Sequence, residues 1–535
     1  MKPWIVTLCA AALWQLAAPV AQAAAPGLPS TNVAWLTAAA DADVERAFAQ
    51  ARAEKKPLLL YWGASWCPPC NQLKATLFNR QDFATLSRSF VAVHVDGDRP
   101  GAQKLGARFK VSGYPTVVLF NADGAEITRL PGEVDAPQML AVMQLGLAGG
   151  RAVKTVLADA RAGKPISAND WRLLAFYSWE TDEQQLLSKA ELPATLARLA
   201  ALSQTATPAA DAETASRLWL KALAANDDAD VKKRALKPDA AVQTRLLATL
   251  ADPAQSRAQM DVLTASAADI VRALDAQATP ARAPLLTAFE SALKRLQTDT
   301  TLSRGDRLGA LIARIDLARL DLPKDQVQVQ LPAALLKEVR EQVALDDRTI
   351  TDGYERQAVI TAAAYALTQA GLWADSDALL KANLAKSHSP YYLMSQLGGN
   401  ARKQGHKAEA LKWYGQAFDT AEGPATRLQW GSGYLNALVD LAPDNGAQIE
   451  KTAQQLFAEA GRDGGAFEGR SVRSLKRAGA KLVAWNEAGK QGAVLRRLQA
   501  QLDGLCPKVE LADGQRAACQ KLLAPAEKSS AKPAA

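Results

Sequence analysis

The sequence predicts two architectures in one chain: an α/β sandwich with a mixed sheet up to about residue 150, then a large all-α region. Two observations carry this. Helical and strand-like segments alternate before Gly150, with apolar runs bounded by Pro and Gly. Beyond it Val and Ile become sparse and Ala abundant, which favours helix over sheet. At 535 residues the chain is also too long for one ordinary domain.

The elements follow in order. Asp43 to Lys55 reads as a helix with Val44, Ala47 and Phe48 on one face. Leu58-Leu59-Leu60-Tyr61-Trp62 is a continuous apolar run between Pro57 and Gly63, as a strand buried on both faces would be. Next come Trp66-Cys67-Pro68-Pro69-Cys70 and a helix with Leu73 and Leu77 one turn apart. Phe90 to Val95 is a strand closed by Asp96-Gly97, and a short helix spans Gln103 to Phe109. Thr116 to Phe120 and Ala125 to Leu130 form a hairpin around Asn121-Ala122-Asp123-Gly124, and Pro137 to Ala148 is a closing helix.

The first 23 residues read as a secretory signal peptide. Lys2 gives a positive start, Trp4 to Val20 is mostly apolar, and Ala21-Gln22-Ala23 fits a small-x-small cleavage site. An uncleaved anchor is the rival reading; the run is short of the ~20 residues a span needs and contains Gln15 and Pro19. Residues 24–32 are a Pro-rich linker and 525–535 a polar, disordered tail. Removal of residues 1–23 takes Cys9 with it and leaves Cys67, Cys70, Cys506 and Cys519. In an oxidising compartment these allow two local disulfides. The net charge of +8 comes from Lys and Arg interspersed with Asp and Glu, without a basic stripe interleaved with aromatics, which argues against nucleic-acid binding.

Cys67 and Cys70 are the candidate chemistry. A thiolate attacks a disulfide, and a cysteine at a helix N-terminus faces unpaired N–H groups and the positive end of the helix dipole. Cys67 would attack and Cys70, one turn deeper, would resolve. Pro68 is tolerated in the first turn, while Pro69 removes a second N–H and so a donor to the Cys67 sulfur. A zinc half-site lacks two further ligands, and a C-x-x-C with two prolines makes a poor structural staple. Neither metal nor organic cofactor is required. Cys506 and Cys519 flank a loop with an Asp513-Gly514 turn and read as a structural disulfide worth about 3 kcal/mol in the chain-entropy model; a second redox centre is the alternative.

Residues 33–150 resemble the thioredoxin-fold family, most closely the secreted branch containing the DsbD C-terminal domain, and the Cys-Pro-Pro-Cys is similar to that of TlpA-like reductases. The resemblance implies that Pro115, in Gly113-Tyr114-Pro115-Thr116, is a cis-proline facing the disulfide. Tyr114 would offer its backbone to an extended substrate, with its ring on one side of a docking groove and Trp66 forming the opposite rim. It also implies a departure: Tyr61 and Ala92 stand where the family keeps a buried carboxylate and a lysine as proton relay. Tyr61 or water is left as acceptor, and His94 reads as a core or surface residue. The loop lacks the histidine of strong oxidants, whose cysteine pKa is ~3.5 against ~7 in thioredoxin. Reduction or isomerisation is therefore expected.

The helical part divides at about 350. Residues 151–350 show helical periodicity without a repeat. In 351–524 two stretches are related by a shift of 34, matching Gly371 with Gly405 and Pro390 with Pro424. Leu397, Gly398, Gly405, Ala410, Tyr414 and Ala417 fall at tetratricopeptide offsets, with a half-copy at Ala453, Phe457 and Ala460. An ordinary helical bundle is the alternative. The expectation is a periplasmic thiol-disulfide oxidoreductase acting on protein thiols and disulfides. Its helical repeats would select other proteins and a membrane-bound donor would supply its electrons. The competing expectation is a scaffold with a redox-silent docking module.

Overall fold

The computed structural model describes residues 33–524 apart from 112, 133, 207–209, 227–233, 277–278, 324–325 and 508–512. The expected signal peptide, linker and tail lie outside the described residues.

Five strands form one mixed sheet in the order β1-β3-β2-β4-β5. They are β1 (Leu36–Ala38), β2 (Leu58–Gly63), β3 (Val91–Asp96), β4 (Thr116–Phe120) and β5 (Glu126–Leu130). β2 is central, parallel to β3 and antiparallel to β4. It is buried along its whole length, which explains its unbroken apolar sequence. Side-chain alternation divides it between two cores. Leu58, Leu60 and Trp62 pack with α1 (Asp41–Glu54) and α4 (Ala102–Arg108), while Leu59 and Tyr61 face the opposite side. The Asn121 side chain organises the β4–β5 hairpin by accepting from the N–H groups of Asp123 and Ala125.

Two elements escape the sequence reading. β1 is only three residues long and pairs in parallel with β3. α3 (Gln81–Leu86) is a short helix after α2 (Pro68–Leu73), whose continuation over Lys74–Phe78 widens into a π-helical turn. α5 (Ala136–Leu147) closes the α/β part, and helices alone follow it among the described residues.

Packing does not break at residue 150. One buried cluster runs from Val33 through Tyr61 and Met143 to Trp171, Phe176 and Ala222. Arg129 on β5, fully buried, pins this junction by donating to the carbonyls of Phe109, Lys110 and Thr181. Further along, the 34-residue shift relates the starts of the helices Trp373–Asn383 and Lys407–Thr420, and of Pro390–Lys403 and Pro424–Leu441. Gly371 and Gly405 each take a left-handed φ, 77° and 81°, in the turn before one of these helices. Tyr414 packs so closely on Gly398 that a Cβ there would lie 2.9 Å from its ring. Among the described residues no helix is long and apolar enough to cross a membrane.

Candidate active site

Cys67 caps the N-terminus of α2, where β2 delivers the chain to the edge of the sheet, and Cys70 lies one turn on. The two are disulfide-bonded with Cα atoms 5.2 Å apart. Pro68 and Pro69 occupy the first two helical positions, so the first free N–H of the helix is that of Cys70, which donates to the Cys67 sulfur at 3.1 Å. Asn71 braces the loop by donating to the carbonyls of Ser65 and Cys67. The Tyr114–Pro115 bond is cis.

The surroundings differ from an open thioredoxin-type groove. Cys67 is 2% exposed and Cys70 0%, because helices more than 300 residues away cover them. Trp66 and Tyr114 do not stand as open rims of a groove. Their rings are in edge contact at 5.9 Å, and Trp66 stacks on Tyr392 and meets Trp430 edge-on. The Arg470 guanidinium lies 4.9 Å from the Trp66 ring and 5.0 Å from the Tyr114 ring.

Polar bonds fix this cover. Asp98 accepts from the Trp66 indole at 2.8 Å and from the Thr426 hydroxyl at 2.6 Å, so one carboxylate holds both parts of the molecule. Burial, reinforced by neighbouring Asp96, pushes Asp98 up to about 7. Gly423, at φ 82°, presses so close that a Cβ would sit 2.7 Å from Asp98. Gln103 donates to the Tyr114 hydroxyl and the Gly97 carbonyl, and accepts from the Arg470 N–H. On the other side His388 donates through Nε2 to the Ser65 carbonyl at 3.1 Å, and burial lowers its pKa, favouring the neutral ring.

The core around Tyr61, the residue expected in place of a carboxylate, is not purely apolar. Tyr61 stacks on His94 at 5.1 Å; its hydroxyl is buried without a partner among the described residues, and burial raises its ionisation far above the usual phenol range. It therefore stays a neutral phenol. Burial also pushes His94 down to about 3, so it remains an uncharged, half-buried ring. Lys74, one turn after Cys70, is buried beneath the Tyr354 ring at 5.2 Å and pushed down to about 8 by burial, with Asp96 opposing. A lysine so desolvated can release a proton near neutrality, which the sequence pattern gave no reason to expect.

Cys506 and Cys519 lie far from this centre in sequence, bonded to each other inside the last helical core with Cα atoms 5.9 Å apart. Asp98, Thr426, Tyr392, Trp430 and Arg470 were missed by sequence reasoning. The doublet Tyr391-Tyr392 after Pro390 is the one local signal that could have drawn attention to them.

Residues 44–146 match the thioredoxin-like domain family. Over 119 residues, 22% of this chain and 20% of the relative, the chain is 31% identical to the thiol:disulfide interchange protein DsbD 2 of Pseudomonas aeruginosa. It is 32% identical over 136 residues, 24% and 22% of the two chains, to DsbD of Cronobacter sakazakii. A thioredoxin-like protein of Synechocystis, slr0233, is 29% identical over 90 residues, 17% of this chain but 81% of that protein. The chain thus spans about a fifth of the length of the DsbD relatives.

Proposed function

We propose that this chain, with a thioredoxin-like domain at residues 44–146, is an exported thiol-disulfide oxidoreductase of the periplasm, acting as a reductase or isomerase on protein disulfides. One observation carries the reading: a disulfide-bonded C-x-x-C pair at the N-terminus of α2, in a domain that also holds cis Pro115. The DsbD relatives, named for thiol:disulfide interchange, support the same chemistry.

In the reduced protein the helix N-terminus stabilises a Cys67 thiolate. It attacks one sulfur of a substrate disulfide; the other sulfur leaves as a thiolate and takes a proton. Cys70 then attacks Cys67, the substrate leaves reduced, and the Cys67–Cys70 bond re-forms. Two electrons pass to the substrate, and a membrane-bound dithiol donor restores the pair. Because the two prolines leave the Cys70 N–H as the first backbone donor of α2 to the Cys67 sulfur, thiolate stabilisation is modest and the potential lies toward the reducing end. Pro115 and Tyr114 position the substrate, Trp66 shapes the approach, and Cys506–Cys519 is structural. In the helical part, residues 351–524 form tetratricopeptide-type hairpins that, with 151–350, choose the partner.

Titration of the full-length protein in glutathione buffers is expected to show a two-electron couple more reducing than DsbA-type oxidants at ≈ −120 mV. Cys70→Ala is expected to trap mixed disulfides through Cys67. A potential near that of the oxidants would sink the reductase assignment. Adducts that persist after Cys67→Ala would sink the assignment of the nucleophile. The second reading, a redox-silent scaffold, draws on the burial of Cys67; it requires a cysteine pair that never cycles.

A further inference from the structure

A cleft of about 560 Å³ lies beside the thiol loop, lined by Pro68 and Pro69 but not by Cys67 or Cys70 themselves. One wall belongs to the α/β part: Pro68 and Pro69 of the thiol loop, and Gly132 and Val134 after β5. Gly132 lies directly against Pro115, since a Cβ there would be 2.9 Å from the proline ring. The opposite wall comes from the helices Met260–Leu274, Arg304–Ala318 and Gly353–Gln369. Gly305 and Gly309, like Ala358 and Ala362, are one turn apart and line it with little bulk. Tyr392 both lines the cleft and stacks on Trp66, so the cleft ends at the cover of Cys67.

Its charge is one-sided. Asp135, Asp306 and Asp316 line it, and among the described residues no Lys, Arg or His does, in a chain of net charge +8. Asp135 is paired with Arg257. Asp306 accepts from Ser303 and feels Arg257, and Asp316 makes no salt bridge among the described residues, although Arg319 and Arg272 lie close enough to lower its pKa in part. Burial pushes both up to about 6, a desolvation cost that a bound cation would offset. Gln396 donates to the Thr361 carbonyl, and its own side-chain oxygen is buried without a partner among the described residues.

Resting on the redox reading above, we propose that this cleft is the entry site for an extended, cystine-bearing polypeptide segment with Lys or Arg beside its cysteines. Size supports a segment: about 300–1,000 Å³ suits a short ligand, whereas a folded partner would need about 800 Å² of free surface on each side. The surface around Cys67 is already covered by the chain's own helices. Charge complementarity supports the basic flanks and disfavours an anionic thiol such as glutathione. Exchange balances as written above, with the segment's disulfide as oxidant and a dithiol as the regenerating donor.

The test uses full-length protein with Cys67 and Cys70 reduced, mixed with three oxidants: a cystine peptide flanked by Lys, the same peptide flanked by Glu, and glutathione disulfide. The Lys peptide is expected to react about tenfold faster than either of the others at low ionic strength. Asp316→Asn is expected to narrow that gap. Ala362→Trp and, from another helix of the same wall, Thr264→Trp are each expected to slow the Lys peptide about tenfold by filling the cleft. Each variant's Cys67–Cys70 potential and circular dichroism are measured alongside, so a misfolded variant is set aside and the other two carry the comparison. Equal rates for the three oxidants, or a charge preference untouched by any folded variant, overturn the proposal. If the cysteine pair does not titrate at all, the redox reading has failed instead.

Discussion

Asp98 shows how a single side chain can bind two distant parts of a chain and make the union pH-dependent. It is buried, accepts from Trp66 and Thr426, and is pushed up to about 7 by desolvation and by Asp96. An unfolded aspartate titrates near 3.9. Between these values the folded protein holds a proton that the unfolded chain lacks. The stability this confers is complete below about pH 4 and is lost as pH rises through about 7. Urea midpoints of the wild type should therefore fall from pH 5 to pH 8. Asp306 and Asp316, raised to about 6, add to the same slope, while His94, held down to about 3, and His388, also lowered, oppose it below about pH 6.5. Asp98→Asn, which carries no charge to desolvate, should make the slope shallower. An unchanged slope in that variant would show that the carboxylate is not what titrates.

At the scale of elements, legibility followed sequence distance. β2, β3 and the β4–β5 hairpin were readable because each buries a contiguous run or closes on a local turn. β1 was not, since Leu36–Ala38 is too short to show a period and gains its identity from pairing with β3. Cys67 and Cys70 were readable because their relation is local. Their cover was not: Thr426 reaches Asp98 across 328 positions, and no periodicity registers such a contact. That cover is itself a stack of few elements. The helix Pro390–Lys403 supplies Tyr391 and Tyr392, Pro424–Leu441 supplies Trp430, and Gly469–Trp485 supplies Arg470. Removing one clamp should loosen it. In the reduced protein, Tyr392→Ala and Arg470→Ala are expected to raise the rate of Cys67 alkylation by iodoacetamide about tenfold, by favouring local opening. Unchanged rates would mean that reagents reach Cys67 without moving these helices.

For the molecule as a whole, the change of composition near residue 150 separates sheet from helices but not one core from another. The helix Ala168–Ala175 places Trp171, Leu173 and Leu174 in the cluster that already holds Tyr61 and Met143, and Phe176 and Tyr177 follow directly. Burying side chains of this size contributes roughly 1.5–3 kcal/mol each. Five of them supply about 10 kcal/mol, comparable to the 5–15 kcal/mol that separates a folded domain from its unfolded chain. Arg129 adds a second dependence, because its donor to Thr181 would lose that partner while staying inside the protein. A fragment of residues 33–150 is thus expected to lack a cooperative thermal transition by circular dichroism and to bind a hydrophobic dye. A fragment extended to residue 226, which retains the whole cluster, is expected to melt cooperatively. If the shorter fragment unfolds as sharply as the longer one, the helices beyond 150 are a cover over an independent fold and not part of its core.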